Sequence, residues 1–170
     1  MHCSTRSGSY AASSRAVSNG VRPHSRPGLT KRGVSVVETR AVIDTAPLLA
    51  YLGGAERSLG RAARRLLAQA KAGRIRLAVP TVCLFEVGQL EERGRINLGV
   101  PFEHWCDLIE SASPLLLVAL ERAHVSEARA LPVLHDPFDR LIAGTAVALG
   151  VPLITPDTRM AAVERLQVIW

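Results

Sequence analysis

The sequence predicts an α/β fold in three layers, with a central, mainly parallel sheet flanked by helices. After residue 40, short runs of apolar β-forming residues alternate with longer segments of helical periodicity. This order is typical of β-α-β units. The chain has 170 residues, of which 48% are hydrophobic, so a single domain has enough apolar surface for one core.

Five segments have the length and composition of strands. They are residues 41–43, 76–79, 115–120, 152–155 and 167–170. Each is a short, largely apolar run that ends at a charged residue, a proline, a polar turn former or the chain terminus. We therefore expect strands that are mostly buried on both faces, as in parallel sheets.

Helical periodicity, capping residues and terminal glycines define the segments between the strands. Helices are predicted at residues 47–51, 58–71, 81–93, 102–110, 121–130 and 136–149, with a short one starting at residue 157. Thr81, Asp136 and Asp157 are the expected N-caps, because their side chains can accept hydrogen bonds from free backbone N–H groups. Pro137 suits the first helical position after Asp136.

The positive charge lies almost entirely in the N-terminal segment. Residues 1–40 contain seven of the 21 arginine and lysine residues but only one of the 15 acids, and the net charge is +6. The remainder is therefore neutral, and its net charge is no argument for nucleic-acid binding. We expect residues 1–38 to be a disordered basic tail or a mis-assigned start, and residues 39–170 to form the domain. The same composition is compatible with two other functions of the tail, a transit peptide or an RNA-binding arm.

Two acids directly follow predicted strands. Asp44 follows residues 41–43, and Asp157 comes just after the 152–155 strand. Ligands of parallel α/β sheets bind in the crevice at the carboxyl ends of the strands. Each acid is also explained as an ordinary N-cap, which is the simpler interpretation of either one alone.

Three further acids lie in helices. Glu86 interrupts an apolar stretch, where an unpaired carboxylate is costly, although a position at the rim of the helix is equally compatible with the pattern. Asp136 and Asp139 lie three residues apart at a helix start, where they either cap the helix or share one face and meet a cation. The two explanations stay open for each residue.

A single explanation covers the acids together. Hard divalent cations such as Mg²⁺ or Mn²⁺ prefer oxygen ligands, and phosphodiester hydrolysis uses such an ion to activate water and to offset negative charge. We find no Ser-His-Asp or Cys-His arrangement, and His135 as a base is the weaker alternative. Cys3, Cys83 and Cys106 form no zinc-ligand pattern; scattered thiols suit a reducing compartment such as the cytoplasm. No apolar run is long enough to cross a membrane.

At this point the chain resembles the PIN-domain family, specifically VapC-type toxins of toxin–antitoxin pairs. The resemblance covers about residues 40–170. Its motifs are VIDTAPLL at 42–49, PTVCLFEV at 80–87, DPFDRLIA at 136–143 and PLITPD at 152–157. Pro156 departs from many relatives, which have arginine there, and the long N-terminal segment is also unusual for the family.

The resemblance assigns roles to individual residues. It implies catalytic Asp44, Glu86, Asp139 and Asp157, with Asp136, Thr155 and Arg140 as accessory residues. We expect Asp44 and Asp139 to bind Mg²⁺ or Mn²⁺ directly. Candidate phosphate contacts are Arg93, Arg95, Arg140 and Arg159, although Arg159 is better explained as ordinary solvated surface.

The resemblance also implies an activity and partners. These are endoribonuclease activity that inhibits translation by cleaving RNA, a cognate antitoxin protein that blocks the site, and a homodimer in the cytoplasm. The alternatives are a catalytically inactive PIN-like module that binds RNA or protein, a non-toxin PIN nuclease, or a DNA nuclease of related fold. A nucleotide-binding domain is less favoured, because no glycine-rich phosphate loop follows the first strand.

Overall fold

A computed structural model describes residues 37–170. The predicted tail therefore lies outside the described residues except for its last two positions. The strands are β1 (Thr39–Ile43), β2 (Arg76–Pro80), β3 (Leu115–Val118), β4 (Leu153–Ile154) and β5 (Val168–Ile169). They form one sheet in the order β3-β2-β1-β4-β5, and every pairing is parallel. The predicted α/β fold is confirmed.

The helices occupy the connections between the strands. Within the described part of the chain they are α1 (Thr45–Leu52), α2 (Arg61–Lys71), α3 (Thr81–Glu92), α4 (Phe102–Ser111), α5 (Arg122–Arg129) and α6 (Pro137–Leu149). All six correspond to predicted helices. No helix in residues 37–170 is long and apolar enough to cross a membrane.

Several element bounds differ from the prediction. Strand β3 ends at Val118 rather than at residue 120, and α1 begins at Thr45 rather than at Pro47.

Three further local predictions were wrong. Helix α2 begins at Arg61 rather than at Ser58, because residues 56–58 form a separate 3-10 turn and Leu59 is extended. Thr81 is the first residue of α3 rather than its cap, and the cap position is held by Pro80. Asp157 caps no helix directly, because the short 3-10 helix after it starts at Met160.

The core lies on the sheet and beneath α6. Ile43, Leu77 and Ile154 on the three central strands are fully buried, as is Ile142 on α6. Helix α6 approaches α5 so closely that a Cβ atom added at Gly144 would lie 2.6 Å from a backbone nitrogen of α5. This close packing holds α6 directly against α5.

The strand order creates a crevice next to β1. From β1 the chain first adds β2 and β3 on one side, and later adds β4 and β5 on the other. Such a reversal leaves an opening at the carboxyl ends of the two strands between which it occurs, here β1 and β4. The predicted acids after these strands, Asp44 and Asp157, therefore belong to one edge of the sheet.

Candidate active site

Asp44 stands at the junction of β1 and α1, held by hydrogen bonds on both of its oxygens. Its Oδ1 accepts from the backbone N–H of Thr45 at 2.7 Å, and its Oδ2 accepts from Oγ1 of Thr155 at 2.7 Å. Thr155 follows β4 and is fully buried. Asp44 therefore does cap α1, as the simpler interpretation held, but it is also tied to the neighbouring strand.

Glu86 extends from the second turn of α3 towards the same edge of the sheet. Its Oε2 accepts a hydrogen bond from Oγ1 of Thr45 at 2.5 Å. Thr45 thus connects Glu86 with Asp44, whose carboxylate accepts from the backbone of the same threonine. Burial raises the pKa of Glu86 above its usual range, and the negative charges of Asp44 and Asp136 raise it further. Glu86 is partly exposed, as a position at the rim of the helix would be, and its carboxylate also contacts Thr45.

The two acids at the start of α6 have different surroundings. Oδ1 of Asp136 accepts from the backbone N–H groups of Phe138 and Asp139 at 2.8 and 3.2 Å, so Asp136 is the N-cap. The Asp139 side chain is only 19% exposed. Burial raises its pKa to about 6, assisted by the negative charges of Asp136, Asp44 and Asp157. The negative charge of Asp44 thus opposes ionisation of Asp139.

Asp157 is held in a tight turn after β4. Its backbone N–H donates to Oγ1 of Thr155 at 3.1 Å, and its Oδ1 accepts from the backbone N–H of Arg159 at 2.8 Å. The hydroxyl of Thr155 consequently touches both Asp44 and the turn of Asp157. One buried threonine thus sets the positions of two of the predicted site acids.

The guanidinium of Arg159 joins Asp157 to Asp139. Its Nη2 lies 2.5 Å from Oδ2 of Asp157 and 3.1 Å from Oδ2 of Asp139, and its Nε donates to both oxygens of Asp157. These contacts with the guanidinium lower the pKa of Asp157. Arg159 was expected to be ordinary solvated surface. Its side chain is 65% exposed, but it also belongs to the acidic cluster.

Thr45 was not among the predicted site residues, and Arg159 was named as a candidate phosphate contact but not as a partner of the acids. Thr45 offered no distinguishing signal, because a threonine at the first position of a helix is unremarkable. The spacing of Arg159 from Asp157 did offer one. An Asp two residues before another residue can accept that residue's backbone N–H and hold its side chain alongside.

Three of the four predicted arginine contacts, those other than Arg159, lie elsewhere or in solvent. Nε and Nη2 of Arg140 donate to the carbonyl oxygens of Ala128 and Arg129 at the end of α5, at 3.1 and 3.4 Å. Arg140 therefore joins α6 to α5, and the predicted phosphate contact receives no support. Arg93 and Arg95 are exposed just after the last residue of α3.

The acidic cluster, defined as Asp44, Glu86, Asp136, Asp139 and Asp157, suits a hard cation. All its donors are carboxylate oxygens, and burial together with mutual repulsion raises the pKa of its half-buried members. Within residues 37–170, however, no three acidic, histidine or cysteine side chains stand in a finished metal-binding arrangement. The chemistry of the donor set fits a divalent ion, and completing the site requires side-chain adjustment.

The fold and the cluster together define a family. The PIN domain family model matches residues 41–166, most of the chain, and this protein belongs to that family. The match contains every member of the acidic cluster.

Proteins similar to this chain include a named ribonuclease and solved VapBC structures. The chain is 37% identical over 86 residues to ribonuclease VapC22 of Mycobacterium tuberculosis, a match that covers 49% of this chain and 65% of that protein. The fold is similar to that in the crystal structure of VapBC2 from Rickettsia felis bound to a promoter DNA fragment. The TM-score is 0.55 at 15% identity, covering 79% of this chain and 98% of that one. DNA-bound VapBC from Salmonella typhimurium gives a TM-score of 0.53 at 15% identity, covering 77% and 97%.

Proposed function

We propose that this protein is a divalent-metal-dependent endoribonuclease and the toxin of a toxin–antitoxin pair. The observation that carries the proposal is the gathering of acids from four separate chain segments at one edge of the sheet, through the contacts of Thr45, Thr155 and Arg159. The 37% identity to a protein named as a ribonuclease supports the same activity. The complete activity, substrate and partners stay proposals, because the match spans 65% of that relative.

Asp44 and Asp139 are the proposed direct ligands of Mg²⁺ or Mn²⁺. Asp44 is suited to this role because Thr155 and Thr45 fix the direction of its carboxylate before any ion binds. Glu86 and Asp157 would complete the ligand set, and Asp136 would add negative charge from its capping position. A bound divalent ion would supply water activation and would offset charge on the phosphoryl oxygens.

The protein's own groups account for the rest of the proposed chemistry. The carboxylates orient the ion, and Thr45 and Thr155 hold two of those carboxylates through their hydroxyl groups. Arg159 is the one guanidinium among residues 37–170 that contacts the cluster, so it replaces Arg140 as the candidate contact for a substrate phosphate.

Cleavage of RNA in the presence of Mn²⁺ tests the activity. Single-stranded RNA and DNA of the same sequence should be incubated with increasing Mn²⁺, using the wild type, Asp44→Asn and Asp107→Asn. Asp107 is an exposed acid on α4 and serves as the matched control. We expect RNA cleavage that depends on Mn²⁺, is lost in Asp44→Asn and is retained in Asp107→Asn.

The outcomes separate the alternatives. Binding of RNA without cleavage would favour the inactive PIN-like module, whereas preferential cleavage of DNA would favour a DNA nuclease. Cleavage retained by Asp44→Asn would remove Asp44 from the mechanism.

The toxin role and the partners need separate experiments. Expression should arrest growth, and co-expression of a small neighbouring upstream reading frame should relieve the arrest if that frame encodes the antitoxin. No relief would favour a non-toxin PIN nuclease. Sedimentation of the purified protein tests the proposed homodimer, and fractionation of cells tests the proposed cytoplasmic location.

A further inference from the structure

Arg159 contacts two members of the acidic cluster, one of them through both its side chain and its backbone. Its Nε lies 3.1 and 3.0 Å from the two oxygens of Asp157, and its Nη2 bridges Oδ2 of Asp157 and Oδ2 of Asp139. Both oxygens of Asp157 are thereby directed at one guanidinium. The backbone N–H of Arg159 also donates to Asp157, which keeps the side chain beside its partner.

We propose that Arg159 is an internal counter-cation that holds Asp139 and Asp157 together while no divalent ion is bound, and that it releases them when the ion binds. This inference rests on the proposed metal-dependent function. It concerns a role that is distinct from catalysis, namely how the protein tolerates its own acidic cluster before the ion arrives.

Electrostatics explains why such a cation is needed. The cluster brings five carboxylates together, and the charges of Asp44, Asp136 and Asp157 each oppose ionisation of Asp139. Within the described residues, Arg159 is the cationic side chain that forms ion pairs with these acids. Its positive charge favours the ionised carboxylates, which would otherwise repel one another.

The same geometry makes Arg159 and the metal ion competitors. Carboxylate oxygens whose lone pairs accept from a guanidinium cannot give those same lone pairs to a cation at the same time. A guanidinium and a divalent ion on the same carboxylates would also repel each other. Arg159 stands between two of the proposed ligands, because its guanidinium contacts Asp139 and Asp157 at once.

The exposure of Arg159 makes the exchange inexpensive. Its side chain is 65% exposed, while those of Asp139 and Asp157 are both 19% exposed. Exposed ion pairs contribute little because water and salt screen them. The guanidinium can therefore swing into solvent, while the two acids stay in place on their helix and turn. A released guanidinium is then free to meet a substrate phosphate.

Direct measurement of metal binding tests this role without any activity assay. Mn²⁺ affinity should be measured by isothermal titration calorimetry for the wild type, Arg159→Gln, Arg159→Lys and the control Arg165→Gln. Arg165 is similarly exposed, at 59%, and pairs with Glu127, which is outside the cluster. Lysine keeps the charge but lacks the planar fork that contacts two carboxylates.

We expect Arg159→Gln to bind Mn²⁺ about threefold to tenfold more tightly than the wild type, as the loss of two exposed ion pairs allows. Arg159→Lys should lie between them, and Arg165→Gln should equal the wild type. In EDTA, Arg159→Gln should also unfold at a lower temperature than Arg165→Gln, because the acids have lost their counter-cation.

Unchanged or weaker Mn²⁺ binding by Arg159→Gln, with the wild type binding normally, would overturn the counter-cation role and leave the proposed function intact. Absence of Mn²⁺ binding in every variant, including the wild type, would overturn both. Should Arg159→Gln fail to fold in EDTA, tighter binding by Arg159→Lys supports the role, and unchanged or weaker binding overturns it.

Discussion

The hydroxyl of Thr155 should be among the most important single polar groups of the domain. It is fully buried, donates to Oδ2 of Asp44 at 2.7 Å and accepts from the backbone N–H of Asp157 at 3.1 Å. Thr155→Val removes both hydrogen bonds and leaves both partners in place. A hydrogen bond to a charged group is worth about 1.5–3 kcal/mol and a neutral one about 0.5–1.5 kcal/mol, so we expect a loss of about 2–4.5 kcal/mol in the free energy of unfolding.

Urea unfolding in EDTA measures this loss without interference from metal. Thr145→Val is the matched control, because Thr145 is equally buried but its hydroxyl donates only to the carbonyl of Leu141 in its own helix, at 2.8 Å. That substitution should cost less than about 1 kcal/mol. Thr155→Ser, which keeps the hydroxyl, should retain most of the stability. Equal losses in Thr155→Val and Thr145→Val would refute the argument that the hydroxyl organises the acids.

Two other substitutions test the packing and the electrostatics. Gly144→Ala places a Cβ atom 2.6 Å from the backbone nitrogen of Ala128, so it should lower the free energy of unfolding by about 1–3 kcal/mol in thermal or urea unfolding. Gly88→Ala, which meets only a side chain at 3.4 Å, should cost less. Glu86→Gln should raise stability in EDTA at neutral pH, because the raised pKa of Glu86 means that its charge destabilises the folded state. The exposed Glu92→Gln should have no such effect, and an equal gain in both variants would contradict this explanation.

Strand positions could be predicted because the local pattern determines them. A strand buried on both faces is apolar, and it ends where a polar residue or a proline interrupts the apolar run or the hydrogen bonding between strands. Asp44 therefore marks the end of β1. The parallel arrangement then places that end beside the end of β4. The errors concerned the ends of elements. Strand β3 stops two residues before its predicted end. Residues 56–58 and Asp157 carry good helix-start signals, but they form a 3-10 turn and a turn that holds Arg159.

The contacts inside the site could not be predicted, because they join residues that are far apart along the chain. The hydrogen bond from Thr45 to Glu86 spans 41 residues, and that from Thr155 to Asp44 spans 111. Nothing local distinguishes Thr45 from other helix residues of its type, and Thr155 was named only through the family resemblance, without its partner Asp44. Arg140 is the opposite case, a predicted contact that does not form. Its position next to Asp139 in the sequence suggested a phosphate contact, but its side chain bonds to the end of α5.

The distribution of charge leads to a final consequence for substrate binding. Positive charge in excess is confined to residues 1–40, so the rest of the chain is neutral, and the acidic cluster makes the site locally negative. A polyanion such as RNA is repelled by such a site unless positive charge is added to it. Two groups can supply positive charge at the cluster. They are the proposed divalent ion and, among the described residues, Arg159. If Arg159 neutralises acids in the metal-free protein, it is unavailable to phosphate there, so metal binding and RNA binding at this site should be mutually reinforcing.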